Sequence, residues 1–146
     1  MPKPVEPFEG SNFLVDLGTG AERLFARVDL PVATLNEIAH RSGGDRSNES
    51  SKQPGLATYS HLVLHRGLTA ELDLWEWWKA ARDGDPAVDR DVVVRLLDDS
   101  GQPRLAWRFR NAFPVVHRIA PLDAIVGGVL METVELAFDT MDAEAT

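Results

Sequence analysis

The chain has 146 residues, 44% of them hydrophobic and 26% charged, which suits one domain with a hydrophobic core and is too short for two. It contains no cysteine, which excludes disulfides, thiolate metal sites and thiol nucleophiles. The formal net charge of −8 disfavours binding to nucleic acid, because that binding needs clustered lysine and arginine. No segment approaches the roughly 20 apolar residues of a membrane span. The start of the chain has no signal pattern, so we expect synthesis and assembly in the cytoplasm.

The first part of the chain predicts an arm followed by three strands. Residues 1–10 carry three prolines and two acids and are expected to form an extended N-terminal arm. Alternating apolar and polar residues then predict strands over Asn12–Leu17 and Arg23–Asp29, with a glycine turn between them. Pro31 interrupts this pattern. Val32–His40 predicts a weaker strand, whose small contrast between faces suits contact with water or with another subunit.

Residues 41–53 have the composition of a flexible loop. They read RSGGDRSNESSKQ, with glycine, serine, asparagine and charged residues and no large apolar side chain. Thirteen residues are long for a hairpin connection, so a function or mobility is the expected reason for their length.

The middle of the chain predicts a strand and a helix. Thr58–Arg66 alternates as a strand, and Gly67 ends it. Thr69 can cap a helix over Ala70–Arg82, with acids in its first turn and bases near its end, as the helix dipole favours. This helix carries three tryptophans, of which at most two can share one face: Trp75, Trp77 and Trp78. The third is expected to be exposed or in an interface, where aromatic residues are enriched, and Trp77 is our candidate.

The second half of the chain predicts three further strands. They are Asp91–Asp98, Arg104–Asn111 after a hairpin-type turn, and Leu130–Thr140. Six to eight strands with a single helix predict a mainly β fold, either a small β-barrel or a sandwich with one packed α-helix.

A search for catalytic or metal-binding patterns finds none that is specific. His61 and His65 have a metal-ligand spacing for a helix, but they lie on a predicted strand, where four residues span about 13 Å. The acidic run 83–91 lacks the ligand pattern of a calcium loop, and no serine belongs to a triad-like arrangement. We therefore expect neither an enzyme nor a cofactor or metal site.

Three arginines form a stripe on the outer face of the predicted strand over 104–111: Arg104, Arg108 and Arg110. Such a stripe can bind phosphate groups, or it can pair with carboxylates of a neighbouring subunit. Both interpretations require an exposed basic face, and only the second predicts self-association.

Three stretches of the second half carry motifs that are informative in combination. The first is PGLATYSHLVLHRGLT at residues 54–69, followed by LWEWWK at 74–79. The second is VRLLDDSG at 94–101, which leads into WRFRNAFP at 107–114, and the third is METVELA at 131–137. Each motif alone is modest, but their order and spacing are specific. Together they resemble the tail-tube protein family of contractile phages and phage tail-like contractile injection systems, and the resemblance covers residues 5–142.

The resemblance implies a single tail-tube domain over residues 1–146 that associates into hexameric rings, which stack into a hollow tube. It implies partners as well: other copies of the chain, a sheath protein, baseplate or hub proteins, tube-terminating proteins and cargo in the lumen. The location would be a virion or an injection particle. The alternatives are a tube-initiating or tube-capping paralogue of the same fold and, in another class, a monomeric β-sandwich binding module.

Within such a tube, the loop over 41–53 is the expected stacking contact between rings, and it would become ordered on assembly. The candidate inter-subunit or stacking contacts are the charged residues of this loop together with one tryptophan and the arginine stripe: Arg41, Asp45, Arg46, Glu49, Lys52, Trp77, Arg104, Arg108 and Arg110.

Overall fold

The computed structural model describes residues 6–41, 43 and 50–146, and this part of the chain is mainly β. In chain order its elements are β1 (Phe13–Asp16), β2 (Glu22–Arg23), β3 (Arg27–Asp29), β4 (Ala33–His40), β5 (Ser51–Tyr59), β6 (Leu62–Gly67), α1 (Asp73–Arg82), β7 (Arg90–Leu97), β8 (Pro103–Ile119), β9 (Met131–Ala137) and β10 (Thr140–Ala145).

The long strand β8 belongs to two sheets. Its first half pairs with β7 on one side and with β10 on the other, and the order β2-β1-β7-β8 completes the sheet that we call sheet I. Its second half pairs with β9, and the order β8-β9-β6-β3 forms sheet II. All of these pairings are antiparallel. Because β2 and β3 end the path without pairing to each other, the described strands form a sandwich-like fold and not a closed barrel.

Asn111 marks the change of direction in β8. Its backbone has φ 54°, a left-handed conformation that asparagine tolerates better than most residues. Its backbone N–H donates to a carboxylate oxygen of Asp91 at 3.2 Å, and its side-chain amide donates to Asp139 at 2.7 Å. These contacts hold the bend, from which the second half of β8 continues as an edge of sheet II.

The hydrophobic core lies between the two sheets and the helix. Its fully buried side chains come from sheet I, sheet II and α1 and include Phe109, Leu62, Leu64, Leu74, Leu136, Val15, Val92 and Val134. Burying each aliphatic or aromatic side chain of this size contributes roughly 1.5–3 kcal/mol. One face of sheet II is therefore a core face, covered by α1 and sheet I, and its other face is open to solvent.

The helix begins later than the sequence predicts. It starts at Asp73 with Leu72 at its N-cap, and no side chain caps it. Thr69 instead accepts a hydrogen bond from the backbone N–H of Glu71 at 3.2 Å, which closes a local turn before the helix. Arg66 pairs with Asp73 and so fixes the first helical residue against β6. The end of the helix at Arg82 agrees with the prediction.

Three predicted strands are each divided in the structure. The strand predicted over 23–29 becomes β2 and β3, because Phe25 turns into the core between them. The strand predicted over 58–66 is interrupted where the Ser60 hydroxyl accepts a hydrogen bond from the Val32 N–H at 2.7 Å. The strand predicted over 130–140 ends at Ala137 and resumes as β10. In addition, residues 51–53 of the predicted loop belong to β5.

Candidate functional site: the assembly surfaces

Three histidines of the described residues pair with acidic side chains: His61, His65 and His117. No group of three or more such side chains that could hold a metal ion exists within the described ranges. His61 lies 3.1 Å from Glu135, whereas His65 lies 2.9 Å from Asp29 and 3.0 Å from the Thr133 hydroxyl. None of the described helices is both long enough and apolar enough to span a membrane.

A buried charge network lies between α1 and sheet II. The Glu132 side chain is 1% exposed, accepts a hydrogen bond from Arg66 Nε at 2.8 Å and lies 2.7 Å from His117 Nε2. Arg66 also pairs with Asp73, and this hydrogen bond holds the pKa of the Asp73 carboxyl below its ordinary value. Every buried side-chain nitrogen and oxygen atom of the described residues has a hydrogen-bond partner. The network therefore fastens the helix to β6, β8 and β9.

Sequence reasoning missed this network, although a signal for it exists. Arg66 follows Leu62 and Leu64 with the period of two that marks the core face of β6, and Glu132 precedes Val134 and Leu136 in the same way on β9. Opposite charges at core positions of two strands predict a buried ion pair, because a buried charge needs a partner.

Sheet II has two strand edges that are unpaired within the described residues. At one end β3 pairs only with β6, and at the other the second half of β8 pairs only with β9 from Phe113 to Ile119. Unpaired edges present rows of N–H and C=O groups that can accept another strand. The geometry therefore allows sheet II to continue into a second copy at both edges.

The solvent face of sheet II is lined by a polar network. Arg27 donates to Asp29 at 2.8 Å, and His65 joins Asp29 to Thr133. Arg118 lies 3.4 Å from Glu135. The hydrogen bond from His65, followed by that from Arg27, lowers the pKa of the Asp29 carboxyl. The carboxylates of this face are thus paired with arginine or histidine side chains. The face is therefore polar but carries no large net charge.

The hairpin of β4 and β5 projects from the rest of the subunit. The two strands pair with each other and with no other described strand, and every residue of β4 is exposed. Its exposed apolar side chains include Leu35, Ile38 and Leu56, with exposed fractions of 58%, 51% and 79%. An isolated two-stranded hairpin is at best marginally stable in water, so this hairpin needs a partner surface.

The loop over residues 120–130, which connects β8 to β9, is a second exposed apolar surface. Its exposed side chains are Leu122 at 84%, Ile125 at 95%, Val126 at 79% and Val129 at 83%. An Asp123 carboxylate oxygen accepts hydrogen bonds from the backbone N–H groups of Ile125 at 2.8 Å and of Val126 at 3.2 Å. These bonds lower the pKa of Asp123 and shape the loop into a turn that points its apolar side chains outwards.

The charged contacts predicted from the sequence are distributed over several places. Arg41 follows β4 directly, and Lys52 lies in β5, 3.3 Å from Glu37 of the opposite strand. Asp45, Arg46 and Glu49 lie outside the described residues. The structure thus places the hairpin strands next to the predicted stacking segment.

The arginine stripe lies on the first half of β8, where Arg104 and Arg110 are exposed. Arg108 is half-buried and pairs with Glu144 of the same chain at 3.2 Å. Arg108 thus has an acidic partner within its own subunit, because strand β10 runs along β8, and its contact with a neighbour's carboxylate stays a prediction.

The structure also corrects the interpretation of the tryptophans. Trp77 is 2% exposed, and its indole N–H donates to the Val88 carbonyl at 2.8 Å, so it is a core residue and not a subunit contact. Trp75 and Trp78 are half-buried and stack with ring centroids 5.3 Å apart. Leu74 and Trp77 are three residues apart and share the face of the helix that is buried, and the helix packs mainly on β8.

Comparison with protein families identifies one match along most of the chain. The family model of the T4-like virus tail tube protein gp19 matches residues 9–142. A search of the curated proteins finds no match.

Solved structures share this fold over nearly the full length of both chains. A chain from the anti-feeding prophage (AFP) baseplate, 6-fold symmetrised, is 25% identical with a TM-score of 0.80 and covers 99% of this chain and 98% of its own. A chain from the sheath–tube complex of an extracellular contractile injection system, PVC, in the extended state is 21% identical with a TM-score of 0.83, at coverages of 96% and 93%. A chain from the AFP tube terminating cap is 20% identical with a TM-score of 0.87, at coverages of 100% and 96%.

Proposed function

The chain belongs to the T4-like virus tail tube protein gp19 family, and we propose that it is a structural subunit of the inner tube of a contractile, phage tail-like injection system. The observation that carries the proposal is the pair of unpaired edges of sheet II, which suits repeated side-by-side association of identical copies. The similarity to chains of the AFP baseplate and the PVC sheath–tube complex supports the same class of particle. In this proposal residues 1–146 act as one tail-tube domain, and the protein has no enzymatic role.

Closure of the ring follows from the two edges. Strand β3 of one copy pairs with residues 113–119 of the next, and this heterologous contact gives a ring when the rotation between neighbours adds up to a full turn. The resemblance to tail-tube proteins implies six copies. Sheet II supplies four strands per copy. Twenty-four strands spaced about 4.8 Å apart give a circumference of about 115 Å. The diameter between opposite backbones is then about 37 Å, which strand tilt widens and the inward side chains narrow.

The orientation of each copy follows from the two faces of sheet II. The core face carries α1 and sheet I, and these layers need the greater space outside a ring. The polar face with the Arg27–Asp29 and Arg118–Glu135 pairs is then turned towards the channel. A wettable lining with compensated charge permits passage of cargo without strong adhesion.

The other proteins of the particle contact the outside and the two ends of the tube in this proposal. Sheet I and α1 lie towards a surrounding sheath protein, whereas the two ends of the tube meet baseplate or hub proteins and tube-terminating proteins. Rings stack through the hairpin of β4 and β5 with its connecting segment over 41–53. The protein is made and assembled in the cytoplasm and becomes part of a virion or an injection particle.

A second candidate is a tube-initiating or tube-capping paralogue of the same fold. The TM-score of 0.87 with a chain of the AFP tube terminating cap favours its inclusion, since the two chains share the fold from end to end. A capping protein forms rings that bind a tube end and do not elongate, whereas a tube subunit forms rings that stack.

Electron microscopy and sedimentation velocity of the purified protein over a range of concentrations test the proposal. We expect six-subunit rings and, at higher concentration, hollow tubes. Rings that never elongate but bind the ends of tubes would assign the capping role. A monomer at all concentrations would contradict both roles and favour a monomeric β-sandwich binding module.

A further inference from the structure

The two exposed apolar surfaces lie at opposite ends of sheet II. Leu62 of β6 is level with Leu136 of β9 at the end where the chain enters and leaves the β4–β5 hairpin. Gly67 is level with Met131 at the other end, where the 120–130 loop joins β9 and the Ala120 N–H donates to the Met131 carbonyl at 2.9 Å. The length of the sheet therefore separates the hairpin from the loop, so they cannot cover each other within one subunit.

The two strands of the hairpin approach each other closely at one point. Pro54 and Asn36 lie at a register irregularity between the strands, and Gly55 allows their close approach at this point. A Cβ atom on Gly55 would lie 2.9 Å from the Asn36 carbonyl oxygen and 3.2 Å from the side chain of Ile38. Ile38 thus lies next to Gly55 of the opposite strand, whereas Leu35, three residues earlier on β4, is on the other face of the hairpin. Both side chains are exposed, so apolar groups are presented on both faces.

The loop at the other end has the complementary form. A concavity of about 620 Å³ is lined by residues of the loop itself, among them Leu122, Val126 and Val129. Gly127 and Gly128 have φ values of 67° and 100°, a left-handed conformation that favours glycine, and no described atom lies within 4 Å of the position of a Cβ on either. The loop thus offers an open apolar recess with room for the side chains of a hairpin.

We propose that the 120–130 loop of one copy is the seat for the β4–β5 hairpin of a copy in the next ring. This inference rests on the proposed tube function and names the partner surface of its stacking contact. The contact is head-to-tail, so each copy offers a hairpin at one end and a seat at the other, and it repeats without limit along the tube. Both surfaces lose their exposed apolar side chains in the same contact, and the hairpin gains the packing that it lacks alone.

The position of the loop favours a second copy over a sheath protein as its occupant. A sheath would contact the outer side of a ring, which sheet I and α1 form. The loop lies instead at an end of the strands of sheet II, as the hairpin does at the other end, and these ends face neighbouring rings when strands run along the tube.

The double variant Ile125→Asp with Val126→Asp tests the proposal. Both side chains are largely exposed, so the subunit should fold and form rings as before. We expect the concentration at which tubes appear to rise by about tenfold or more, because loss of apolar burial of this size weakens each contact by at least that factor. The matched control, Ile125→Leu with Val126→Ile, keeps the apolar surface and should form tubes as the original chain does.

The experiment distinguishes failure of the proposed stacking contact from failure of the proposed tube function. If the original chain forms rings and tubes and the double aspartate variant forms the same tubes at the same concentration, the seat is wrong and the tube function stands. Loss of the rings themselves in the variant would place the loop inside a ring contact and also overturn the seat. An original chain that stays monomeric contradicts the proposed function.

Disulfide trapping gives an independent result, because the chain has no cysteine of its own. We would combine Val126→Cys with Leu35→Cys in one chain and with Leu56→Cys in another, since these positions represent the two faces of the hairpin. Oxidised tubes of at least one pair should give a ladder of covalent oligomers on a non-reducing gel. The single variants cannot extend beyond dimers, and absence of a ladder for both pairs in intact tubes would contradict the proposal.

Discussion

Glu132 is a charged residue in the core, and its neighbours explain why it is tolerated there. It lies between Arg66 and His117 with both of its oxygen atoms engaged, so the cost of removing the carboxylate from water is offset by two short contacts. Arg66 in turn extends the network to Asp73 at the start of the helix. Through Arg66, this side chain of β9 contributes to holding α1 on sheet II.

Replacement of Glu132 with alanine should destabilise the subunit strongly. The substitution removes the carboxylate on β9 that pairs with the buried Arg66. Breaking a buried charged pair costs about 3–5 kcal/mol. Urea unfolding of the two proteins measures the change in the free energy of unfolding.

Glu135→Ala provides the matched control on the opposite face of the same strand. The Glu135 side chain is 23% exposed, and its partners His61 and Arg118 are exposed as well, so its loss should cost only about 0–1 kcal/mol. Equal losses for the two variants would contradict the assignment of Glu132 as a core residue of the network.

At the scale of elements, the β4–β5 hairpin is separate from the body of the subunit, which consists of sheet I, sheet II and α1. None of the core residues lies in the hairpin, and the hairpin strands pair only with each other among the described strands. The body can therefore fold with the hairpin unpacked, and the hairpin can be altered without loss of the core.

Gly55→Val should abolish tube formation while the subunit keeps nearly all of its stability. The new side chain would meet the Asn36 carbonyl oxygen and Ile38, so the hairpin must change its shape. The free energy of unfolding of the subunit should fall by less than about 1 kcal/mol, because the core is unchanged. We therefore expect a melting temperature within about 4 °C of the original. Tube formation, followed by sedimentation, should be lost.

Gly10→Ala is the control for this prediction, because no described atom lies within 4 Å of a Cβ placed there. It should leave both the melting temperature and the tubes unchanged. A large fall in the melting temperature of Gly55→Val would show that the hairpin is part of the folding core and would contradict the separation of the hairpin from the body.

Elements could be predicted from the sequence where local pattern and tertiary packing agree. Strands β1, β4 and β7 and the end of α1 at Arg82 follow from alternation and dipole signals within one or two residues. The length of β8 could not be predicted, because Pro114 within it suggests an end, and its continuation depends on pairing with β9. The surface role of Trp77 was wrong because the helix buries the face that Leu74 and Trp77 share, and which face is buried depends on the packing on β8.

The candidate site was predictable in its chemistry and only partly in its place. The weak contrast between the faces of the strand over 32–40 predicted contact with water or another subunit, and every residue of β4 is exposed in the single subunit. The apolar 120–130 loop carries no periodic signal, so the sequence offered no reason to connect it with the hairpin. Its place opposite the hairpin depends on the register of β6 and β9, which only the folded chain shows.

At the scale of the whole molecule, the surfaces for assembly are separate from the core that folds the subunit. The free edges, the hairpin and the loop surround a core that is complete within one chain. A net charge of −8 keeps free subunits apart in solution until specific contacts form. Such a subunit can fold first and polymerise afterwards, as a tube protein must.

The most direct test of the proposed ring is a cryo-electron microscopy reconstruction of the assembled protein. We predict rings of six in which β3 of each subunit pairs with residues 113–119 of its neighbour, and in which Arg27, His65 and Arg118 face the channel. A ring joined through other strands, or one with this polar face turned outwards, would contradict the proposed ring.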